Sequence, residues 1–426
     1  RPSSAKEELR MADYTKFNGE EVESGGDGAR RPGLGDVLAK FWPIGILSFG
    51  GTQANMAMFH QMIVTDLQWV EAQQYAELLG IVQALPGASA AQILLASVTA
   101  ATGRPFAGIL AFLLFCVPGA VGMAALGTHI AGVDIVAIPY VAAAQMGIGC
   151  AATVLVAQGA WELGQKLVVD KLTKGLWLVS CLVCFASAAS PALLSVLTLV
   201  ILAGGALVAL YYYPPCEAKA GGSVIADVGI GRFVGKLLMA IVWLVLLVLV
   251  LAPLLMSCPA WVSIASLYYM VGCLVFGGGP VVIPLLLLQL IAEKALTPHQ
   301  FILGFSAVQA FPGPMFNLAA FCGALQGGWR GALLAWTAMM APGTFLAFGA
   351  LPFWAELRSS SRVQRALKGV NACAAGLMGS AVLLLWETIV ATRTGLVCLT
   401  VGLLGLTQIF KIKPYCVILV SMVVGL

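Results

Sequence analysis

Charge is the scarcest commodity in this sequence. Only 10% of its 426 residues are Asp, Glu, Lys or Arg, while 60% are hydrophobic. A soluble domain carries about 25% charged residues, so a soluble globular chain is excluded and an all-α integral membrane protein remains. Histidine is almost missing, at three residues, and the eleven cysteines are scattered singly through apolar runs. No His/Cys/acid cluster therefore has metal-ligand spacing. Cys181-x-x-Cys184, the only close cysteine pair, reads as helix packing, with a redox or metal site as its alternative. There is no P-loop, no catalytic dyad at recognisable spacing, and no haem or flavin motif. Enzyme function and ATP-driven pumping by this chain alone are both disfavoured, and no cofactor is implied. The net charge of +4 sits in loops and gives no argument for nucleic acid.

Long apolar runs are what the sequence has in plenty. They lie at roughly 36–65, 75–103, 105–131, 138–160, 174–189, 191–212, 233–256, 261–290, 298–327, 331–353, 369–390, 395–410 and 413–426. About 20 apolar residues are needed to cross a bilayer as helix, so about 13 crossings are expected if each run spans once. Runs 75–103 and 298–327 are long and broken by Pro-Gly, and a re-entrant hairpin is the alternative there. Residues 1–35 have no apolar core to serve as a secretory leader and read as a disordered cytosolic tail. The chain opens on Arg1, and Met11 is a candidate natural start.

Basic residues test the crossing count through the positive-inside rule. With the N-terminus inside, 20 Lys and Arg fall on inside segments, among them Arg104, Lys166, Lys171, Lys174, Lys219, Arg232, Lys236 and the Arg358–Lys368 run. Only Arg330 and Arg393 fall outside. That bias favours the all-spanning count.

Repeats give the organisation. Phe49-Gly50-Gly51 returns as Phe276-Gly277-Gly278, Gln83-Ala84-Leu85-Pro86-Gly87 as Gln309-Ala310-Phe311-Pro312-Gly313, and Pro118-Gly119 as Pro342-Gly343. The offsets are 227, 226 and 224 residues. Three motifs in one order at a near-constant offset mark an internal duplication. Seven crossings lie between the start of the first Phe-Gly-Gly segment and the start of the second. Seven is odd, so the halves enter the membrane in opposite directions. The expected layout is a first transmembrane repeat at 36–213, a cytosolic linker at 214–232, an extra inverting helix at 233–256 and a second repeat at 257–426. Fused inverted-topology repeats with interrupted helices are the pointer to a secondary transporter with its site at the repeat interface.

The breaks also carry the expected chemistry. Proline removes a donor and pushes the preceding residue out of helical geometry, and glycine lets the chain turn. Free N–H groups left inside a membrane need a partner, and a half-helix N-terminus suits an anion. The candidate substrate-binding residues are Phe49, Gly50, Gly51, Gln53, His60, Gln83, Pro86, Gly87, Phe276, Gly277, Gly278, Gln309, Pro312, Gly313 and Asn317. Asn55, Ser89 and Gln92 add polar side chains beside the same breaks. His60 and Glu77 are candidates for proton coupling. For any single polar residue, interhelical hydrogen bonding is the alternative.

Taken together, Ser48-Phe49-Gly50-Gly51, His60, Trp69-Val70 and Pro86-Gly87 resemble the first half of the chromate ion transporter family. Phe276-Gly277-Gly278-Gly279-Pro280, Phe311-Pro312-Gly313-Pro314 and Gly369-Val370-Asn371-Ala372 resemble its second half. The resemblance covers about residues 36–426. It departs at Phe49-Gly50-Gly51-Thr52 and Pro86-Gly87-Ala88, where the family has a further proline. It implies a long, two-domain carrier of chromate, with sulfate as the structural relative. The resulting expectation is alternating-access exchange of a small tetrahedral oxyanion by a multi-pass protein of the plasma or an organelle membrane. An anion or small-solute channel and a membrane-embedded anion sensor are the alternatives, and a homodimer is left open.

Overall fold

The structure, a computed structural model, describes residues 31–49, 51–131, 139–187, 191–215, 229–275, 279–353, 356–357, 360–390, 397 and 399–405. The regular elements among the described residues are all helical. Four stretches are long and apolar enough to cross a membrane: Pro105–Ile130, Arg232–Pro253, Met315–Phe353 and Ser361–Leu385.

The helices follow the duplication. The first apolar run is not one helix. It divides into α1 (Leu34–Phe41), α2 (Ile44–Leu47) and α3 (Gly51–His60), the last continued by a π-helical turn, Gln61–Asp66. Next come α4 (Ala72–Ala84), α5 (Ser89–Thr102) and α6 (Pro105–Ile130). The run at 75–103 is therefore a pair of half-helices, 13 and 14 residues long. At 1.5 Å per residue each reaches only about 20 Å, short of the ~30 Å hydrocarbon core. Then follow α7 (Pro139–Leu167), α8 (Lys171–Ala186), α9 (Pro191–Tyr212) and α10 (Arg232–Leu255), the last covering the apolar run read at 233–256. The pattern then starts again with α11 (Ala260–Leu274), α12 (Gly279–Ala292), α13 (Pro298–Ala310) and α14 (Leu318–Ala350). A 3-10 turn, Met315–Asn317, leads into α14, and Gly328 at φ +58° kinks it between the two apolar runs read there. Helix α15 (Ser361–Leu385) ends in a second π-helical turn, Trp386–Val390.

Local sequence explains the ends. Proline opens α6 at its first position, where its missing N–H costs nothing, and left-handed Gly103 closes α5 just before it. Helix α6 is apolar all round, as a helix between protein and lipid should be. The cysteines Cys181 and Cys184 of α8 are buried and unbridged. Among the described residues no group of three or more His, Cys, Asp or Glu could hold a metal.

Several of the basic loops meet at one end of the bundle. A side chain on Gly229 would collide with Gly103 O, beside Arg104. Arg232 pairs with Glu356 at 2.9 Å. Arg365 donates to Leu210 O at 2.9 Å and Tyr213 O at 2.7 Å, and Lys368 Nζ stands 4.9 Å from the Tyr213 ring centre. The Tyr213 hydroxyl in turn donates to Asp170 Oδ2. Asp170 also caps α8, accepting from the Thr173 N–H at 2.8 Å and its hydroxyl at 2.9 Å. These bonds tie the starts of α8 and α15 to the end of α9.

Burial alone would raise the Asp170 carboxyl, but the bonds from Thr173 and Tyr213, with Lys368 nearby, hold it below its usual value. A depressed carboxyl contributes stability above its unfolded pKa and loses it as pH falls through the folded one. Asp170→Asn should therefore lower the unfolding temperature in detergent by a few degrees at neutral pH. The gap from wild type should close as pH drops below about 4. A gap independent of pH would count against this latch.

Candidate substrate site at the crossed helix breaks

Both Pro-Gly breaks are built alike. Helix α4 stops at Leu85, which is extended at φ −99°, ψ 152° because Pro86 follows. Gly87 then turns at φ +123° and α5 starts at Ser89. Helix α13 stops at Phe311, extended at φ −92°, ψ 150°, and Gly313 turns at φ +97°. Side chains rarely adopt such φ values, so each turn needs its glycine.

The freed backbone groups find partners in the opposite half of the sequence. Gly87 N–H donates to Val275 O at 2.8 Å. Gly313 N–H donates to Ser48 O at 3.0 Å and to Ser48 Oγ at 3.0 Å. The third repeated motif completes the crossing. A Cβ on Gly343 would stand 2.8 Å from Gly87 Cα, and one on Gly119 would collide with Pro312 O. Gln92 Nε2 donates to Pro86 O and to Gly343 O, both at 2.8 Å. Asn317 Nδ2 donates to Cys116 O at 3.1 Å, and Asn317 Oδ1 accepts from Trp336 Nε1 at 2.9 Å. Ser48 pairs by offset with Val275, Gly87 with Gly313 and Gly119 with Gly343. Each break thus touches in the other half the counterpart of what touches it, a reciprocity characteristic of twofold contacts.

This geometry corrects one expectation. The amides of Gly87 and Gly313 are not open, because backbone carbonyls hold them. Among the described residues, buried side-chain atoms without a partner lie at the start of α5, just past the first break, and on α3. Helix α5 has no side-chain cap, and Ser89, Ala90 and Ala91 of its first turn are buried. Ser89 Oγ (2% exposed) and Gln92 Oε1 (1% exposed) have no hydrogen-bond partner, nor does either side-chain atom of Asn55 (1% exposed) on α3. A buried polar atom left unmet costs about 1–3 kcal/mol, so such a group at a helix start suits a ligand. The second break is closed, since Asn317 bonds at both side-chain atoms.

The other sequence candidates fall in different places. Pro86 is buried, Pro312 and Gln309 are half-buried, and Gln83 is exposed. Phe49 is 42% exposed, and Gly51 opens α3. His60 is exposed, its ring edge-on to Tyr75 at 5.1 Å, while Tyr75 bonds back to Met56 O at 3.0 Å. Glu77 is buried on α4. Gly50, Phe276, Gly277, Gly278 and the side chain of Gln53 lie outside the described residues. Sequence reading gave no role to Trp336, which no motif flags, or to the Ser48 hydroxyl. It noted Gly119 and Gly343 without seeing that they admit the opposite break.

A family model described as chromate transporter matches residues 35–210 and 262–426. The gap between the two matched blocks contains α10 and the segment before it. A probable chromate transport protein of Synechococcus elongatus is 27% identical over 362 residues, 83% of this chain and 84% of its own length. The chromate transport protein of Pseudomonas aeruginosa is 27% identical over 349 residues, 81% of this chain and 79% of its own. That of Cupriavidus metallidurans is 27% identical over 378 residues, 87% and 88% of the two chains. No solved structure matches.

The crossing makes a prediction about packing. Gly119→Ala and Gly343→Ala each place a methyl against backbone that cannot yield, and overpacking costs about 1–3 kcal/mol. Each should lower the unfolding temperature and the yield of monodisperse protein in fluorescence-detected size exclusion. Ser48→Ala keeps the carbonyl bond and should cost about 1 kcal/mol or less. Wild-type behaviour of both glycine variants would refute the close crossing.

Proposed function

This chain belongs to the chromate transporter family, a family of transport proteins rather than enzymes, and from that premise we propose that it is a secondary carrier of a small tetrahedral oxyanion, chromate or sulfate. The anion binds at the start of α5, between the two halves. The first-turn amides and the positive helix end meet its charge, and the Ser89 hydroxyl and Asn55 Nδ2 donate to its oxygens. Gln92, whose Nε2 is already engaged, keeps the turn in shape. The single observation that carries this reading is the set of unpartnered buried atoms beside the first crossed break. A doubly charged ion cannot stay uncompensated in a low-dielectric site, and α3, α4 and α5 carry no Lys or Arg to neutralise it.

The two halves are inverted repeats about a pseudo-twofold axis, and their reciprocal contacts support that reading. Transport proceeds by alternating access: the crossed bonds hold the centre while the flanking half-helices shift around it. His60 and Glu77, on the helices leading to the first break, are the proposed proton-coupling pair.

The test is uptake of radiolabelled sulfate into proteoliposomes, competed by chromate, under an imposed pH gradient. We expect saturable uptake that chromate blocks. Ser89→Ala should raise KM about tenfold or more, because a hydrogen bond to a charged group contributes about 1.5–3 kcal/mol and 1.4 kcal/mol is tenfold. His60→Gln should remove the response to the gradient and leave exchange at symmetrical pH intact. Non-saturable flux with high unitary conductance would make the protein a channel and overturn the carrier reading.

A further inference from the structure

An apolar groove lies between α6, α10 and α14, on the far side of Trp336 and Pro342 from the unpartnered atoms of the first break. Its volume is about 460 Å³, and its walls include Phe112, Leu113, Val234, Ala341 and Phe345. All three helices belong to stretches long and apolar enough to cross a membrane, so the groove opens at bilayer depth. Leu113, Val234 and Phe345 are exposed.

The groove offers a ligand no free side-chain polar atom. Of its polar linings, Thr337 donates to Leu333 O at 2.7 Å and Thr344 to Met340 O at 2.8 Å. Trp336 directs its indole N–H to Asn317. An oxyanion or a sugar would find nothing there to replace its water, whereas a hydrocarbon chain loses nothing. Along α14 the groove runs from Phe348 to Trp336, about 18 Å at 1.5 Å per residue. That is close to one leaflet, half of the ~30 Å hydrocarbon core.

One end of the groove is basic. Gly229 and Gly231 line it there, beside the first two turns of α10, where Arg232 and Lys236 flank the groove, 5.9 and 5.8 Å from the Phe353 ring centre. Pro105 lines the same end, next to exposed Arg104. Among the described residues, the acid paired with this cluster is Glu356, on Arg232. Apolar walls of leaflet length ending in a surplus of positive charge match a lipid with a negative headgroup.

We propose that this groove binds one anionic phospholipid of the surrounding bilayer, its acyl chain between α6, α10 and α14 and its headgroup at Arg104, Arg232 and Lys236. The bound chain also presses on Trp336, whose indole holds Asn317, and Asn317 in turn contacts Cys116 O and lies against Gly119 and Gly313. The lipid thereby tunes the second break. This coupling rests on the carrier reading above; the binding itself does not.

The experiment reconstitutes the full chain in nanodiscs containing a trace of phosphatidylglycerol or phosphatidylcholine with a photoactivatable group near the end of one acyl chain. Labelled residues are then mapped by mass spectrometry. With the phosphatidylglycerol probe, Met340, Ala341 and Phe345 should be labelled at least threefold above Trp243 and Leu244, lipid-facing references on α10. Ala341→Trp, or Thr344→Trp should the first variant fold poorly, should abolish that excess. Lys236→Gln should reduce the preference for phosphatidylglycerol over phosphatidylcholine. Labelling equal to the references, or unchanged by the filled groove, would overturn the site, and equal labelling by both probes would overturn the headgroup assignment. Trp336→Phe should leave labelling unchanged but alter sulfate uptake, and unaltered uptake would sever the coupling. Wild-type protein that labels yet carries no sulfate would keep the lipid site and reject the carrier reading.

Discussion

Backbone donors freed inside a membrane have no water to turn to. Each Pro-Gly break creates them in the middle of an apolar run, and each is met by a carbonyl from the other half of the chain. Gly87 takes Val275 and Gly313 takes Ser48. Once those two bonds are required, much else follows. Glycines must stand at 119 and 343 for the backbones to come so close. Gln92 and Asn317 must lie across the joint to hold its carbonyls and helices. The Phe-Gly-Gly motifs must also lie just past the acceptors, so that the helices carrying Ser48 and Val275 end where the breaks arrive.

The duplication is not symmetric in chemistry. At the second break Asn317 bonds with both side-chain atoms, and Trp336 locks it from outside. At the first break Ser89 Oγ, Gln92 Oε1 and the Asn55 amide have no partner. One joint is bonded at its buried side chain, and the other leaves buried side-chain atoms unmet. The sequence differs at the matching points, with Pro314 after Gly313 but Ala88 after Gly87. Proline has no N–H to offer, whereas alanine keeps one.

Much of this was legible in the sequence. The breaks, their order and their offset follow from proline and glycine chemistry, which is local, and so do the ends of α4, α5, α6 and α13. The apolar run at 233–256 was legible and appears as the helix Arg232–Leu255. What escaped was long-range. Nothing in Gly87 says that its amide is taken by Val275, because an acceptor far along the chain leaves no local pattern. The break between α1 and α2 was missed, whereas the one between α2 and α3 falls beside the Gly50-Gly51 pair that the sequence flagged. For Asn55 and Ser89 the sequence showed polarity near a break but not burial without a partner, which only packing decides.

The crossing bonds also set a schedule for biosynthesis. Gly87 N–H has its acceptor at Val275, roughly 190 residues later in the chain. At ~5–20 residues per second, about 10–40 s pass after the first break is synthesised before its partner is even made. Gly313 waits for nothing, because Ser48 is synthesised long before it. The N-terminal half is therefore the part held open during assembly, and the C-terminal half is the template-guided closure that completes it.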